Sequence, residues 1–232
     1  LCGGCVAPKS DKCLLLFVHG LGGRGDDGTW GSFPALVQAD PTLAARYDVG
    51  HFTYRTGKFA LPLSKPIPKA REVARILKTE IETKHAQYTE IGIIAHSLGG
   101  LIARRYIADI LEAAGPNRDA VDLKVKQLIT FATPHIGAEL ANLAKFVVKG
   151  AAAVAGALMP VPGADKLIAL SEQARDLAMD SGFQLALRES WGRTRAEHAL
   201  RTKYVVAAND QIVSRTSSEG PQWSDDYDTV DG

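Results

Sequence analysis

The chain has 232 residues, 46% of them hydrophobic and 23% charged, which is ordinary globular composition and enough length to bury one sizeable core. Lysines and arginines number 27 against 26 aspartates and glutamates, a formal net charge of +1, so no global attraction to nucleic acid or to an acidic membrane surface is expected. No run is apolar enough to read as a membrane-spanning helix, and the chain opens on Leu1 rather than a methionine, so targeting is unreadable.

All three cysteines, Cys2, Cys5 and Cys13, crowd the start of the chain, an odd number that makes no disulfide framework. Cys2-x-x-Cys5 is half of a metal-site spacing without a second pair to match it, so no metal is expected. Cys13 opens a near-continuous apolar run to His19, read as a strand buried on both faces with Cys13 as a buried thiol. A loop rich in Gly and Asp, 21–29, leads to a helical stretch from Trp30 that stops near Asp40-Pro41, and Asp48 to Tyr54 reads as a second strand. Pro62, Pro66 and Pro68 mark a loop. From Lys69 to Gln87 the residues Val73, Ile76, Leu77 and Ile81 recur at helical spacing and predict an apolar stripe facing a sheet.

The run Thr89 to Gly100 reads as a strand, a tight turn carrying Ser97, and a helix start; the helix extends from Leu98 to Ala114 and ends at Gly115-Pro116. Val125 to Phe131 is another buried strand, closing at Ala132-Thr133-Pro134-His135. Residues 138–201 form a mainly helical insertion, alanine-rich from Leu140 to Val161, expected to be a cap or lid anchored to the core by Phe183 and Trp191. Contact of 140–161 with a membrane surface is a further reading, and Lys145 and Lys149 on one face argue against a spanning one. Lys203 to Ala208 is the last clear strand, and Tyr227 to Gly232 is a short strand-like run. Strands alternating with helices predict a single α/β domain over 1–232, a mostly parallel sheet with helices on both faces. In such sheets sites form beyond the carboxyl ends of the strands, so the loops after His19, Ala95, Phe131 and Ala208 share one edge.

Ser97 has the setting of a nucleophile, because a serine that attacks a carbonyl must stand clear of the backbone on a sharp strand-to-helix turn, and Ala95 and Gly99 are small enough to permit one. The helix start puts the Leu98 N–H beside it, one donor for an oxyanion. A second donor is expected from the glycine-rich run His19-Gly20-Leu21-Gly22-Gly23, through the Leu21 N–H, with His19 orienting the loop rather than acting as a base. Asp210, directly after a late strand, is the candidate acid; Asp225, Asp226 and Asp228 are weaker ones.

Together, His19 to Gly23 with Thr29-Trp30, Ala95-His96-Ser97-Leu98-Gly99-Gly100, Ala132-Thr133-Pro134-His135-Ile136-Gly137 and Asn209-Asp210 resemble the α/β-hydrolase superfamily, in its lipase- and esterase-like branch. The resemblance implies a Ser-Asp-His triad in chain order, with Ser97 as nucleophile and Asp210 as acid. It implies hydrolysis of carboxylic esters, often lipids, through an acyl-enzyme and without a metal or organic cofactor. The expected partner is a small-molecule or lipid ester, not nucleic acid, with His19, Gly20, His96 and His135 lining the place where it binds.

One departure stands out. The six histidines are His19, His51, His85, His96, His135 and His198, and none follows Asp210, where the pattern puts the base. His198 precedes the last clear strand and belongs at the wrong edge of the sheet, His96 points away from the Ser97 hydroxyl, and His135 is beside the site, a substitute base at most. The expectation is therefore a triad histidine beyond Gly232, a truncated C-terminal end, and a fragment nearly inactive as it stands, since losing the base of a triad costs on the order of 10⁶ in kcat. The alternative is a catalytically inactive hydrolase-like binding or regulatory domain, or the N-terminal module of a larger protein.

Overall fold

In a computed structural model, which describes residues 9–23, 27–56, 59–60, 68–135, 169–170, 182–194, 196–207 and 227–230, the apolar run near the start forms strand β1 (Cys13–Val18). It lies inside a sheet with β2 (Tyr47–Phe52), β4 (Ile91–His96), β5 (Val125–Phe131), β7 (Arg201–Ala207) and β8 (Tyr227–Val230). The strand order is β2-β1-β4-β5-β7-β8, and each neighbouring pair is parallel. Two further short strands, β3 (Phe59–Ala60) and β6 (Ala169–Leu170), make a separate antiparallel pair. The α/β class expected from the alternation of elements is the observed one.

Successive side chains of a strand face opposite ways, and both faces of this sheet are apolar. Leu14, Leu16, Val18, Ile93 and Ala95 join one core cluster with residues of α4 (Ala70–Thr83), α5 (Leu98–Ala114) and α6 (Gly182–Thr194). Leu15, Phe17 and Ile94 join a second with Val37 of α2 (Phe33–Ala39), and Phe131 packs against it. On α4 the residues Ala70, Val73, Ala74, Leu77 and Ile81 are buried, but Ile76 is 46% exposed, contrary to the predicted stripe. At about 100° per residue Ile76 lies roughly 120° round the helix from the centre of that buried face.

The helical stretch expected from Trp30 to Asp40 holds the end of α1 (Asp27–Trp30) and all of α2, and a third short helix, α3 (Pro41–Arg46), follows it directly. Asp40-Pro41 is a stop and also a start: the Asp40 carboxylate accepts the Thr42 and Leu43 N–H groups, both at 2.9 Å, and Pro41 takes the first helical position, where no N–H is needed. Cys13 is half-buried rather than buried, and its thiol donates to Glu90 at 3.5 Å; burial and then the Glu90 carboxylate push the thiol pKa up.

Trp191 is fully buried in the first core and Phe183 packs against it, both on α6, the described C-terminal part of the 138–201 stretch. Residues 136–168, including the alanine-rich segment, and Cys2 and Cys5 lie outside the described residues. Among the described residues no helix is long and apolar enough to cross a membrane.

Candidate active site

The strand order fixes where a site can form. From β1 the chain moves outward to β2, returns over β1 through α4 to β4, and then proceeds through β5 and β7 to β8 at the other edge. The direction of travel reverses between β1 and β4, which pair with Val18 opposite Ala95. At such a reversal the connections leave on opposite faces and open a crevice at the carboxyl ends of the two strands. The residues placed there are His19-Gly20 after β1 and His96-Ser97 at the end of β4.

Ser97 has φ 50° and ψ −123° immediately before the first residue of α5. A non-glycine residue with positive φ is strained by about 1–3 kcal/mol, so the surroundings must hold it. They do so on three sides. The Ser97 N–H donates to the Phe131 carbonyl at 2.9 Å. A Cβ on Gly99 would lie 2.4 Å from the Val18 carbonyl oxygen and 2.6 Å from that of His19, so α5 begins directly against the end of β1. A Cβ on Gly100 would lie 2.2 Å from the Thr133 hydroxyl oxygen, which puts the loop after β5 against the next residue of the helix.

The loop after β1 comes onto this elbow. A Cβ on Gly20 would be 2.9 Å from the Ser97 Cβ and from the His96 carbonyl oxygen, so only glycine lets the two chain segments approach so closely. The Gly23 N–H donates to the Gly20 carbonyl at 3.1 Å with Gly22 at φ 74°, the turn in which the third residue must take positive φ. The Gly22 N–H donates to the Thr56 hydroxyl at 3.1 Å. Leu21 packs against the first core, and Leu98 is fully buried at the head of α5. The two backbone groups named as oxyanion donors are therefore carried by segments that converge on Ser97.

His19 is fully buried, with its ring stacked on Tyr54 at 4.2 Å between centroids. Its Nδ1 donates to the Gly20 carbonyl at 3.0 Å, its Nε2 accepts the Tyr54 N–H at 3.4 Å, and the Tyr54 hydroxyl donates to the His19 carbonyl at 2.8 Å. These bonds tie the end of β1 to Tyr54. His96 is half-buried with the Trp30 ring edge-on at 6.3 Å, and Trp30 meets Phe131 at the same separation.

His135 is buried after β5, with Nδ1 accepting from the Arg104 guanidinium at 2.8 Å and Nε2 facing the Thr130 hydroxyl at 3.1 Å. Burial, and then the Arg104 charge, hold its pKa well below 6.5. Both ring nitrogens are engaged within the protein, which explains the geometry of the loop and not proton transfer to a substrate. Asp210 lies outside the described residues, as does the side chain of His198. An open groove of about 560 Å³, lined in part by Cys13, Glu90, Lys126 and Arg201, lies at the amino edge of the sheet, the edge opposite Ser97.

Comparison with known proteins bears on the fold. A mature-form lipase of Bacillus licheniformis aligns over 97% of this chain and 85% of its own, with TM-score 0.57 and 18% identity. The chain has the α/β-hydrolase fold. A monoacylglycerol lipase of Paleococcus ferrophilus is similar over 97% of this chain and 86% of its own, with TM-score 0.55 and 18% identity. The phospholipase PlaB of Legionella pneumophila is similar over 84% of this chain, which spans 39% of that protein, with TM-score 0.55 and 18% identity. The family described as "Putative serine esterase (DUF676)" matches residues 69–159, which hold α4, β4 and the Ser97 elbow. No curated protein sequence matches the chain. These likenesses support a hydrolase of the lipase and esterase kind.

Sequence reasoning missed Tyr54 and Arg104, and it quoted Thr133 in a motif without giving it a role. Tyr54 and Thr133 act through contacts between distant segments. Arg104 leaves a local pattern, since Arg104-Arg105 interrupts the otherwise apolar helix face Leu98 to Ile107, and a cation there must find partners.

Proposed function

We propose that this α/β-hydrolase cleaves carboxylic esters, of lipids or other acyl compounds, with Ser97 as nucleophile. The observation that carries the reading is the strained Ser97 at the reversal point of the sheet, with Gly20 in contact with it. Ser97 Oγ attacks the ester carbonyl, and a tetrahedral intermediate forms with its oxyanion facing the Leu21 and Leu98 N–H groups. Loss of the alcohol leaves an acyl-Ser97, which water then hydrolyses. The proton acceptor in this scheme is an imidazole oriented by Asp210. Gly20 and His96, which adjoin Ser97, form the surroundings of the acyl group.

A fluorophosphonate probe, followed by peptide mapping, tests the nucleophile, and a panel of esters of graded acyl length tests the substrate class. Labelling at Ser97 and hydrolysis that disappears in Ser97→Ala are expected. A folded protein that neither labels at Ser97 nor hydrolyses any ester in a Ser97-dependent way would defeat this reading. That outcome would favour a binding or regulatory domain, a reading motivated by the internal engagement of the His19 and His135 rings.

A further inference from the structure

Residues 131–135, after β5, meet the nucleophile at one end and a buried arginine at the other. At the near end the Phe131 carbonyl accepts the Ser97 N–H, and Ala132, at φ 46°, donates its N–H to the Val205 carbonyl at 3.1 Å. Ala132 and Ser97 are the two non-glycine residues with positive φ among the described residues, and they flank this one hydrogen bond. In the middle, Thr133 is buried against Gly100. The Pro134 carbonyl accepts the side-chain amide of Gln184 at 3.1 Å.

At the far end, arginine has only donors, so the contact with Arg104 makes His135 Nδ1 an acceptor and leaves the ring proton on Nε2, directed at Thr130. The ring of His135 stands edge-on to Tyr204 with 4.6 Å between centroids, and the Arg104 guanidinium lies over the Trp191 ring at 4.6 Å. Arg104 is 1% exposed. Burying a cation is costly, and apolar side chains of similar volume often replace buried charged groups without loss of stability. What an apolar side chain lacks is direction: the guanidinium fixes the ring edge it faces, and through the ring the end of the loop. Arg104 is seven residues from Ser97, two turns or about 10 Å along the same face of α5.

We propose that Arg104 and His135 are positioning residues for the nucleophile: they pin the far end of the loop whose near end holds the Ser97 backbone. This inference rests on Ser97 being the nucleophile only for its catalytic consequence. The pinned loop itself is independent of the chemistry.

The test compares Arg104→Met, His135→Phe and His135→Asn in the complete chain by amide hydrogen exchange, melting temperature and the rate of fluorophosphonate labelling. Asparagine keeps an acceptor where Nδ1 sits, and phenylalanine keeps the ring without one. Arg104→Met and His135→Phe are expected to speed exchange at Ser97 and Ala132 at least tenfold while the α4 amides keep their protection, and to slow labelling ten- to a hundredfold. His135→Asn is expected to restore most of both, and any loss in ester turnover should fall on kcat rather than KM. Unchanged exchange at Ser97, a uniform rise that includes α4, or an asparagine variant no better than the phenylalanine one would overturn the proposal. Absence of labelling in the unaltered protein would count against Ser97 as nucleophile, while the exchange measurements would still decide the role of the pair.

Discussion

A methyl group on Gly99 would sit 2.4 Å from the carbonyl oxygen of Val18, closer than any stable contact between such atoms. Both are backbone positions, one at the head of α5 and the other at the end of β1, so neither can turn aside. Gly99→Ala is therefore expected to push α5 away from β1 and destabilise the protein by about 1–3 kcal/mol, the usual cost of overpacking. Denaturant unfolding measures it. A loss within experimental error would mean that the elbow is looser than this contact requires.

The positive φ of Ser97 makes a separate prediction, because alanine is strained there much as serine is, and glycine is not. Ser97→Gly should be more stable than Ser97→Ala by about 1 kcal/mol, with both equally inactive. In an ordinary helix or strand position the order is reversed. Equal stabilities, or alanine above glycine, would show that the serine backbone is not held in this conformation.

The elements that position the site were legible because each follows from local pattern. The apolar runs at Cys13 to Val18, Ile91 to Ala95 and Val125 to Phe131 announce buried parallel strands, and the small residues around Ser97 announce the sharp turn. What stayed hidden depends on contacts between distant segments. Asp40-Pro41 reads as an end, though Asp-Pro-Thr also caps the next helix. Ile76 fits the spacing of α4, but only the position of the sheet decides which side of the helix is covered. The pairing of Arg104 with His135 joins residues 31 apart in sequence, and neither type normally marks a buried brace. The acid, Asp210, was named from its place after a strand, and it lies outside the described residues.

A prediction about the base follows from the histidines. His19 is bonded through both ring nitrogens to Gly20 and Tyr54, and His135 to Arg104 and Thr130, so neither ring is disposed to take the Ser97 proton. In a protein of these 232 residues, added imidazole is expected to raise Ser97-dependent ester hydrolysis at least tenfold, a part of the 10²–10⁴ that a positioned general base typically contributes. The check is the rate against imidazole concentration, beside Ser97→Ala. No increase, or the same increase in the alanine variant, would indicate that a missing base is not what restrains this serine.

Acid should weaken the fold in two stages with separate causes. His135 is held neutral well below 6.5, so once the pH falls below that value the unfolded chain takes up a proton that the folded one refuses, and stability declines as pH falls. Each such proton is worth up to about 1.4 kcal/mol per pH unit. Glu112 is the second stage. Burial pushes its carboxyl up, but hydrogen bonds from Ser190, Arg193 and Arg105 outweigh this and hold it at about 2, against 4.5 without them. Its contribution is complete above about 4.5 and is lost as pH falls from there toward about 2. With 29% of its side chain exposed, solvent screening should hold that share to on the order of 1 kcal/mol. Unfolding free energy measured from neutral pH down to about pH 3 should therefore decline first below 6.5 and again below 4.5. His135→Asn should shrink the first decline, the remainder coming from His85, which burial also holds below 6.5, and Glu112→Gln should shrink the second. If both declines are unchanged in the two variants, other groups govern acid unfolding and His135 and Glu112 are not its origin.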